Sequence, residues 1–303
     1  MDAIEVERLT KSYGRARGIV DLDLRVGSGT VFGFLGPNGA GKTTTIRVLL
    51  DFLRPTSGAA RVLGLDSRAD SVAIHRRVGY VPGDPALYER ITARELFAWL
   101  SGLRGGIDER VLEGLVARFG VQADRPIHEL SRGNRQKIAL VQAFMHEPEL
   151  LVLDEPTAGL DPLVQHEFEE LVREVAAEGR TVFLSSHMLD EVQHLCDHVA
   201  IIREGCLVAV EEVATLRARA MREVTIHFAA PIDPAPFRVL PGVRDVEVRD
   251  ANLHCHLTGS ANHLVKLAAR FDVLDFTSTP PDLEALFLHY YRDAEAGDGA
   301  AGH

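Results

Sequence analysis

Apolar and polar positions change rhythm several times along this 303-residue chain. Residues 3–9 and 19–26 alternate, as half-exposed strands do. Val31–Leu35 and Leu150–Leu153 are instead continuous apolar runs, the pattern of parallel strands covered on both faces. Helical spacing follows the first run over Thr44–Asp51, and short strands are predicted at Ala60–Leu63 and Thr181–Leu184. Ile74–Val78 leads into a strand end and a loop, Gly79 to Pro85. From about residue 91 the character changes. Ala93–Leu103, Asp108–Phe119 and Arg135–His146 carry apolar residues at helical spacing, with Asp108 as a cap. They predict a helical subdomain, about 88–147, inserted into an α/β core. Leu163–Glu178 and Asp190–Leu195 read as further helices, and Val199–Arg203 with Cys206–Val210 as a hairpin around Glu204 and Gly205.

A second pattern begins near Glu223. Strands are predicted at Glu223–Ala229, Val243–Arg249, Leu253–Thr258 and Val273–Thr277, with helices at Phe237–Leu240, Ala261–Phe271 and Asp282–Tyr291. The order β-α-β-β-α-β plus a last helix predicts a small α+β, ferredoxin-like domain. The chain therefore divides into residues 1–218, residues 219–293 and a Gly/Ala-rich tail, 294–303, expected to be disordered.

Composition narrows the picture in two places. A net charge of −11 argues against broad nucleic-acid binding. Three distant cysteines, Cys196, Cys206 and Cys255, give neither a disulfide framework nor a zinc spacing and fit a reducing compartment. The N-terminus has no apolar signal core, and no run approaches the ~18 apolar residues of a membrane span.

The candidate chemistry starts at Gly36, Pro37, Asn38, Gly39, Ala40, Gly41, Lys42, Thr43 and Thr44, which match G-x-x-x-x-G-K-S/T in full, between a strand and a helix. Polyphosphate needs many donors and little bulk, and glycine backbone N–H groups with a helix N-terminus supply both. In this pattern Lys42 reaches the β- and γ-phosphates and the Thr43 hydroxyl sits on Mg²⁺. The strand Leu150–Leu153 delivers Asp154 and Glu155 to its C-terminal end, where open α/β sheets hold their ligands. Asp154 is the candidate Mg²⁺ holder and Glu155 the group that polarises an attacking water. Leu130 to Gln136 precedes this strand, with Ser131 placed to cap a helix. His254, Cys255, His256 and His263 lack a fourth zinc ligand, so a plain exposed strand is expected there. Trp99 is expected in the core, and the acids of 167–178 on a solvated helix face.

Taken together, these motifs resemble the nucleotide-binding subunit of an ATP-binding cassette (ABC) transporter. The phosphate loop, the signature-like Leu130–Gln136, Val152 to Thr157, Ala158 to Asp161, and Ser185-Ser186-His187 occur in the family's order over residues 3–215. The resemblance implies a P-loop ABC cassette that hydrolyses ATP with Mg²⁺. It implies Tyr13 stacked on adenine, His187 at the γ-phosphate, Asp161 in a loop coupling two sites, and Ser131 and Gly133 contacting ATP on the opposite subunit of a homodimer. It also implies a separate integral-membrane permease and a place on the cytoplasmic side of the membrane. The region 220–293 resembles the accessory domain of some bacterial ABC-2 type exporters, which leads to export of a drug, antibiotic or lipid. A soluble ABC ATPase of ribosomes or DNA is the rival reading; such proteins carry two cassettes or long coiled coils. The chain departs from the family at Arg132 and Asn134, where the signature has Gly and Gln. It departs again at Gly83, where the family has a Gln that contacts Mg²⁺ or water. Asp84 is one substitute; a loop that couples only mechanically is the other.

Overall fold

The computed structural model describes residues 2–14, 16–219 and 221–279. These form two compact units, divided between Val210 and Glu211, ahead of the 218/219 boundary read from the sequence. The predicted helix 282–291 and the tail 294–303 lie outside the described residues.

The first unit contains two sheets. β1 (Asp2–Tyr13) pairs antiparallel with β2 (Ala16–Gly27) and with β4 (Ser57–Val62), and β5 (Leu65–Asp66) adds an edge. The second sheet holds β3 (Val31–Leu35), β6 (Val78–Val81), β7 (Leu150–Asp154), β8 (Thr181–Ser186), β9 (His198–Arg203) and β10 (Cys206–Glu212) in the order β10-β9-β3-β8-β7-β6. β9, β3, β8, β7 and β6 run parallel. All residues of β3, β7 and β8 are buried, which is why these strands carry no alternation. Helix α1 (Lys42–Leu49) contributes Ile46, Val48 and Leu49 to a core shared with Ile4, Leu24, Phe34 and Phe183 of both sheets.

α2 (Ser71–Arg77) precedes β6, and α3 (Ala93–Arg104), α4 (Glu109–Arg118) and α5 (Arg132–Phe144) separate β6 from β7. A capping box of Thr92 and Glu95 starts α3, and Asp108 caps α4 by accepting from Arg110 N–H. α5 starts three residues earlier than its apolar pattern predicts. Its first turn, Arg132-Gly133-Asn134, has no apolar residue, and the cap is Ser131. α1 likewise begins at Lys42, behind Gly41 in a left-handed conformation (φ 110°). Trp99 is not in the core. It is 49% exposed and meets Tyr88 edge-on at 5.5 Å. The acids of α6 (Pro162–Ala177) face solvent as expected, and two of them, Glu167 and Glu174, also bind Arg118 of α4, at 3.0 and 2.5 Å, while remaining about half exposed. α7 (Leu189–Leu195) follows β8.

In the second unit α8 (Val213–Arg219) leads into β11 (Arg222–Phe228), α9 (Ala235–Arg238), β12 (Val243–Arg249), β13 (Asn252–Leu257), α10 (Asn262–Ala268) and β14 (Val273–Ser278). The sheet is antiparallel, in the order β12-β13-β11-β14. Val224, Ile226, Phe228, Phe237, Leu253 and Leu264 form a core of its own. Cys255 points into this core, while His254 pairs with the Thr225 hydroxyl at 3.0 Å and His256 with Asp245 at 3.2 Å. Among the described residues no three side chains form a metal-ligating group.

Candidate active site

Parallel order puts the C-terminal ends of β3, β8, β7 and β6 side by side, and each end delivers a loop to one edge of the sheet. After β3 the chain turns at Gly36. A Cβ there would lie 2.3 Å from the Ile202 carbonyl oxygen, so only glycine lets the loop pass. The loop ends on α1, whose first-turn N–H groups have no partner within the helix and form an anion-binding end. Lys42 is only 5% exposed, and its Nζ donates to Gly36 O at 2.6 Å and reaches Pro37 O at 3.3 Å. The side chain thus curls back over the loop whose backbone would hold phosphate. Gly18, Asn38, Gly39, Gly41, Lys42, Thr43, Thr44 and Glu155 line a cleft of about 260 Å³. Ala40 is buried, and its carbonyl accepts from Gly205 N–H at 2.9 Å, anchoring the loop to the β9–β10 turn.

Asp154 and Glu155 are neighbours with different surroundings. Asp154 is buried; Thr43 donates its hydroxyl proton to one carboxylate oxygen at 2.7 Å, and Ser185 to the other at 2.5 Å. Glu155 takes a left-handed backbone conformation (φ 49°), a costly geometry for a residue with a side chain. Its N–H donates to the Ser185 carbonyl at 3.1 Å, which helps hold the kink. The Glu155 carboxylate then spans two partners. Oε1 lies 3.1 Å from Lys42 Nζ, an ion-pair distance without hydrogen-bond alignment, and Oε2 lies 2.6 Å from His187 Nδ1. The structure therefore joins Lys42, Thr43, Asp154, Glu155 and His187 in one network. An ionised carboxylate and a hydroxyl oxygen side by side are the hard donors that suit Mg²⁺.

The remaining candidates sit elsewhere. Tyr13 ends β1, 46% exposed, with Lys11 Nζ 5.3 Å from its ring centre. Asp161 caps α6 by accepting from Val164 N–H at 3.1 Å, and its carboxylate is 4.0 Å from Lys137 Nζ. Ser131 and Gly133 do not line the phosphate cleft. Instead Gly133 packs against the loop after β7, where an added Cβ would come within 2.6 Å of the Gly159 carbonyl oxygen. Gly83 follows β6, and a Cβ there would stand 3.5 to 3.7 Å from Asp154 atoms, in ordinary contact with its carboxylate. Asp84 is exposed. Tyr80, on β6, has its phenol pushed up to about 12 by burial first and by the Asp154 charge second.

Three further polar side chains were given no individual role by the sequence reading, although Gln136 and Ser185 lie in motifs it named. Gln136 is 1% exposed and donates Nε2–H to the Pro156 carbonyl at 2.9 Å, fastening α5 to the segment after Glu155. Ser185 binds both Asp154 and the Glu155 N–H. Glu191, 7% exposed on α7, accepts from Thr157 Oγ1 at 2.9 Å and from Ser186 Oγ at 2.5 Å. Burial raises its carboxyl above the usual range, against the pull of the two hydroxyls. Polar residues at buried positions of Gln136 and Glu191 are the signal, but a helical pattern alone leaves their partners open.

The sequence model of the family described as "ABC transporter" matches residues 19–158. The Nod factor export ATP-binding protein I of Paraburkholderia xenovorans is 33% identical, over 94% of this chain and 96% of that protein. The bacitracin transport ATP-binding protein of Bacillus licheniformis is 34% identical, again over 94% of this chain and 96% of its own length. A solved structure described as the ATP binding subunit of an ABC transporter superposes with a TM-score of 0.67 at 31% identity, covering 71% of this chain and 92% of that one.

Proposed function

The chain belongs to the ATP-binding subunits of ABC transporters, and we propose that it binds and hydrolyses ATP with Mg²⁺ to drive export through a separate integral-membrane permease. The observation that carries this reading is the single network in which Lys42 and Thr43 meet Glu155 and Asp154, with His187 on Glu155. In this reading the N–H groups of residues 36–44 hold the polyphosphate, and Lys42 leaves Gly36 O for the β- and γ-phosphate oxygens. Thr43 and Asp154 hold Mg²⁺, which neutralises charge on those oxygens when bound. Glu155 orients the attacking water and takes its proton, while His187 holds the Glu155 carboxylate and contacts the γ-phosphate. Tyr13 stacks on adenine.

Ser131 and Gly133 lie outside the cleft of their own chain, which supports a homodimer in which each copy completes the other's site. In the same reading Asp161 couples the two sites. Exposed Tyr88 and Trp99, in contact at the loop after β6, make an aromatic surface suited to the permease. No helix among the described residues is long and apolar enough to cross a membrane, which is consistent with a peripheral subunit on the cytoplasmic face. We read the second unit as a ferredoxin-like accessory domain on its strand order. The cargo is a drug, antibiotic or lipid, by analogy with the bacitracin and Nod factor exporters.

Glu155→Gln tests the chemistry. It keeps the shape and removes the base, so hydrolysis should fall by roughly 10²-fold or more. Size-exclusion chromatography with Mg-ATP should then show a trapped dimer. Normal hydrolysis in this variant overturns the assignment of Glu155. Purification in gentle detergent tests the transport reading: a stoichiometric polytopic membrane protein should accompany the chain. Ribosomal or DNA-associated proteins in its place would favour a soluble ABC ATPase.

A further inference from the structure

We infer that Glu191 is a positioning residue for ATP hydrolysis: its carboxylate holds the two turns that carry Glu155 and His187 at a fixed separation. The inference rests on the reading of Glu155 and His187 given above. Thr157 lies two residues beyond Glu155, and Ser186 directly precedes His187. Glu191 bridges them, with Oε1 accepting from Thr157 at 2.9 Å and Oε2 from Ser186 at 2.5 Å. The bridge runs behind the 2.6 Å contact between Glu155 and His187. The reacting pair and its support thus form a closed frame.

Both carboxylate oxygens of Glu191 serve as acceptors in this bridge. Ser186 Oγ accepts from Met188 N–H at 2.9 Å, and its own proton has Glu191 Oε2 at 2.5 Å, nearer than the Met188 carbonyl at 3.3 Å. The Thr157 hydroxyl proton goes to the other oxygen. An ionised carboxylate is acceptor-only and serves both hydroxyls, and the shorter bond has the length of a charge-assisted one. Keeping a carboxylate this deep is expensive, as the upward push of burial on its proton affinity indicates. A helix could fill the same space with an apolar residue at lower cost. The two loops gripped on either side are what such a group accomplishes here. Gln136, from α5, holds the adjacent Pro156 carbonyl. The segment after Glu155 is thereby fixed from two directions, and only the Glu191 side also fixes His187.

The phosphate loop makes none of these contacts, so the frame should govern turnover more than ATP binding. Steady-state kinetics and thermal midpoints of the full chain with Glu191→Gln, Glu191→Ala, Thr157→Val and the Thr157→Val/Glu191→Gln pair test this. Loss of position of a base by about 1 Å can cost up to ~10²-fold, so kcat of Glu191→Ala should fall roughly tenfold or more with KM for ATP within about threefold. Glu191→Gln and Thr157→Val each weaken the bridge, should fall less, and should combine non-additively because both act on that one bridge. If Glu191→Ala does not fold, the Gln and Val variants carry the test. Wild-type kcat in the Gln and Val variants overturns the inference, as does a loss that follows the thermal midpoint or that kcat and KM share. A wild-type chain without ATPase activity would instead overturn the functional reading itself.

Discussion

Asp154 and Glu155 are adjacent acids that the protein keeps in separate roles through their neighbours. Asp154 receives two hydroxyl protons and stays on the β7 line, whereas the left-handed turn at Glu155 sends its carboxylate to Lys42 and His187. Beside Asp154 stands Gly83, where the side chain is absent and room exists for one. Its φ is not in the left-handed region, and an added Cβ makes only ordinary contacts, so Gly83→Gln should fold as the wild type does. An amide oxygen there would extend alongside the Asp154 carboxylate and add a donor for the cation. The expected result is a Mg²⁺ requirement lowered by up to roughly tenfold, read as the Mg²⁺ concentration for half-maximal ATPase activity. An unchanged Mg²⁺ titration would mean that this loop acts only mechanically. At this scale the sequence was legible wherever the chemistry is contiguous, as in residues 36–44 and 154–155. It was not legible where partners meet through folding: Gln136 lies 20 residues from Pro156, and Glu191 lies 34 from Thr157.

Among the elements, α5 has the most exacting placement. Ser131 caps it, its first turn carries the signature residues, and its buried face holds Ile138, Leu140, Val141 and Phe144. The backbone at Gly133 approaches the Gly159 carbonyl so closely that a methyl group must separate helix from loop. Gly133→Ala should therefore displace the segment that follows Glu155, at a cost of about 1–3 kcal/mol of stability. Hydrolysis should drop by roughly tenfold or more, while binding of a fluorescent ATP analogue to the single chain is kept. Equal losses of binding and hydrolysis would locate the damage in the phosphate loop instead. The helices were readable from apolar spacing, but their starts were not. α5 and α1 each begin with a turn that carries no aliphatic residue, so the apolar period starts late. Trp99 misled for a related reason. Its place in the helical period is compatible with burial, yet the residue is on an open face beside Tyr88.

At the scale of the molecule, each unit has its own apolar core, so each has the means to fold by itself. The strands could be read from alternation and from continuous apolar runs, but the pairing of β3 with β8 and β9, or of β11 with β13 and β14, is a non-local choice that neither pattern encodes. The phosphate loop, β7 and β8 all belong to the first unit. A chain ending at Glu212 should accordingly bind ATP with an affinity within about twofold of the full chain, because no residue of the cleft is removed. Dimerisation should respond differently. Among the described residues β14 is an edge strand, and Val273, Leu274 and Phe276 on it are exposed, with Phe271 beside the Phe228 and Phe237 rings. An exposed apolar edge is a surface that proteins cover with another element or another chain. If a second copy covers it, the truncated chain carrying Glu155→Gln should stay monomeric with Mg-ATP at concentrations where the full-length Glu155→Gln chain is dimeric, as measured by light scattering. An ATP-bound dimer of undiminished strength would confine the subunit contact to the nucleotide sites and leave the second unit to meet the permease or another partner.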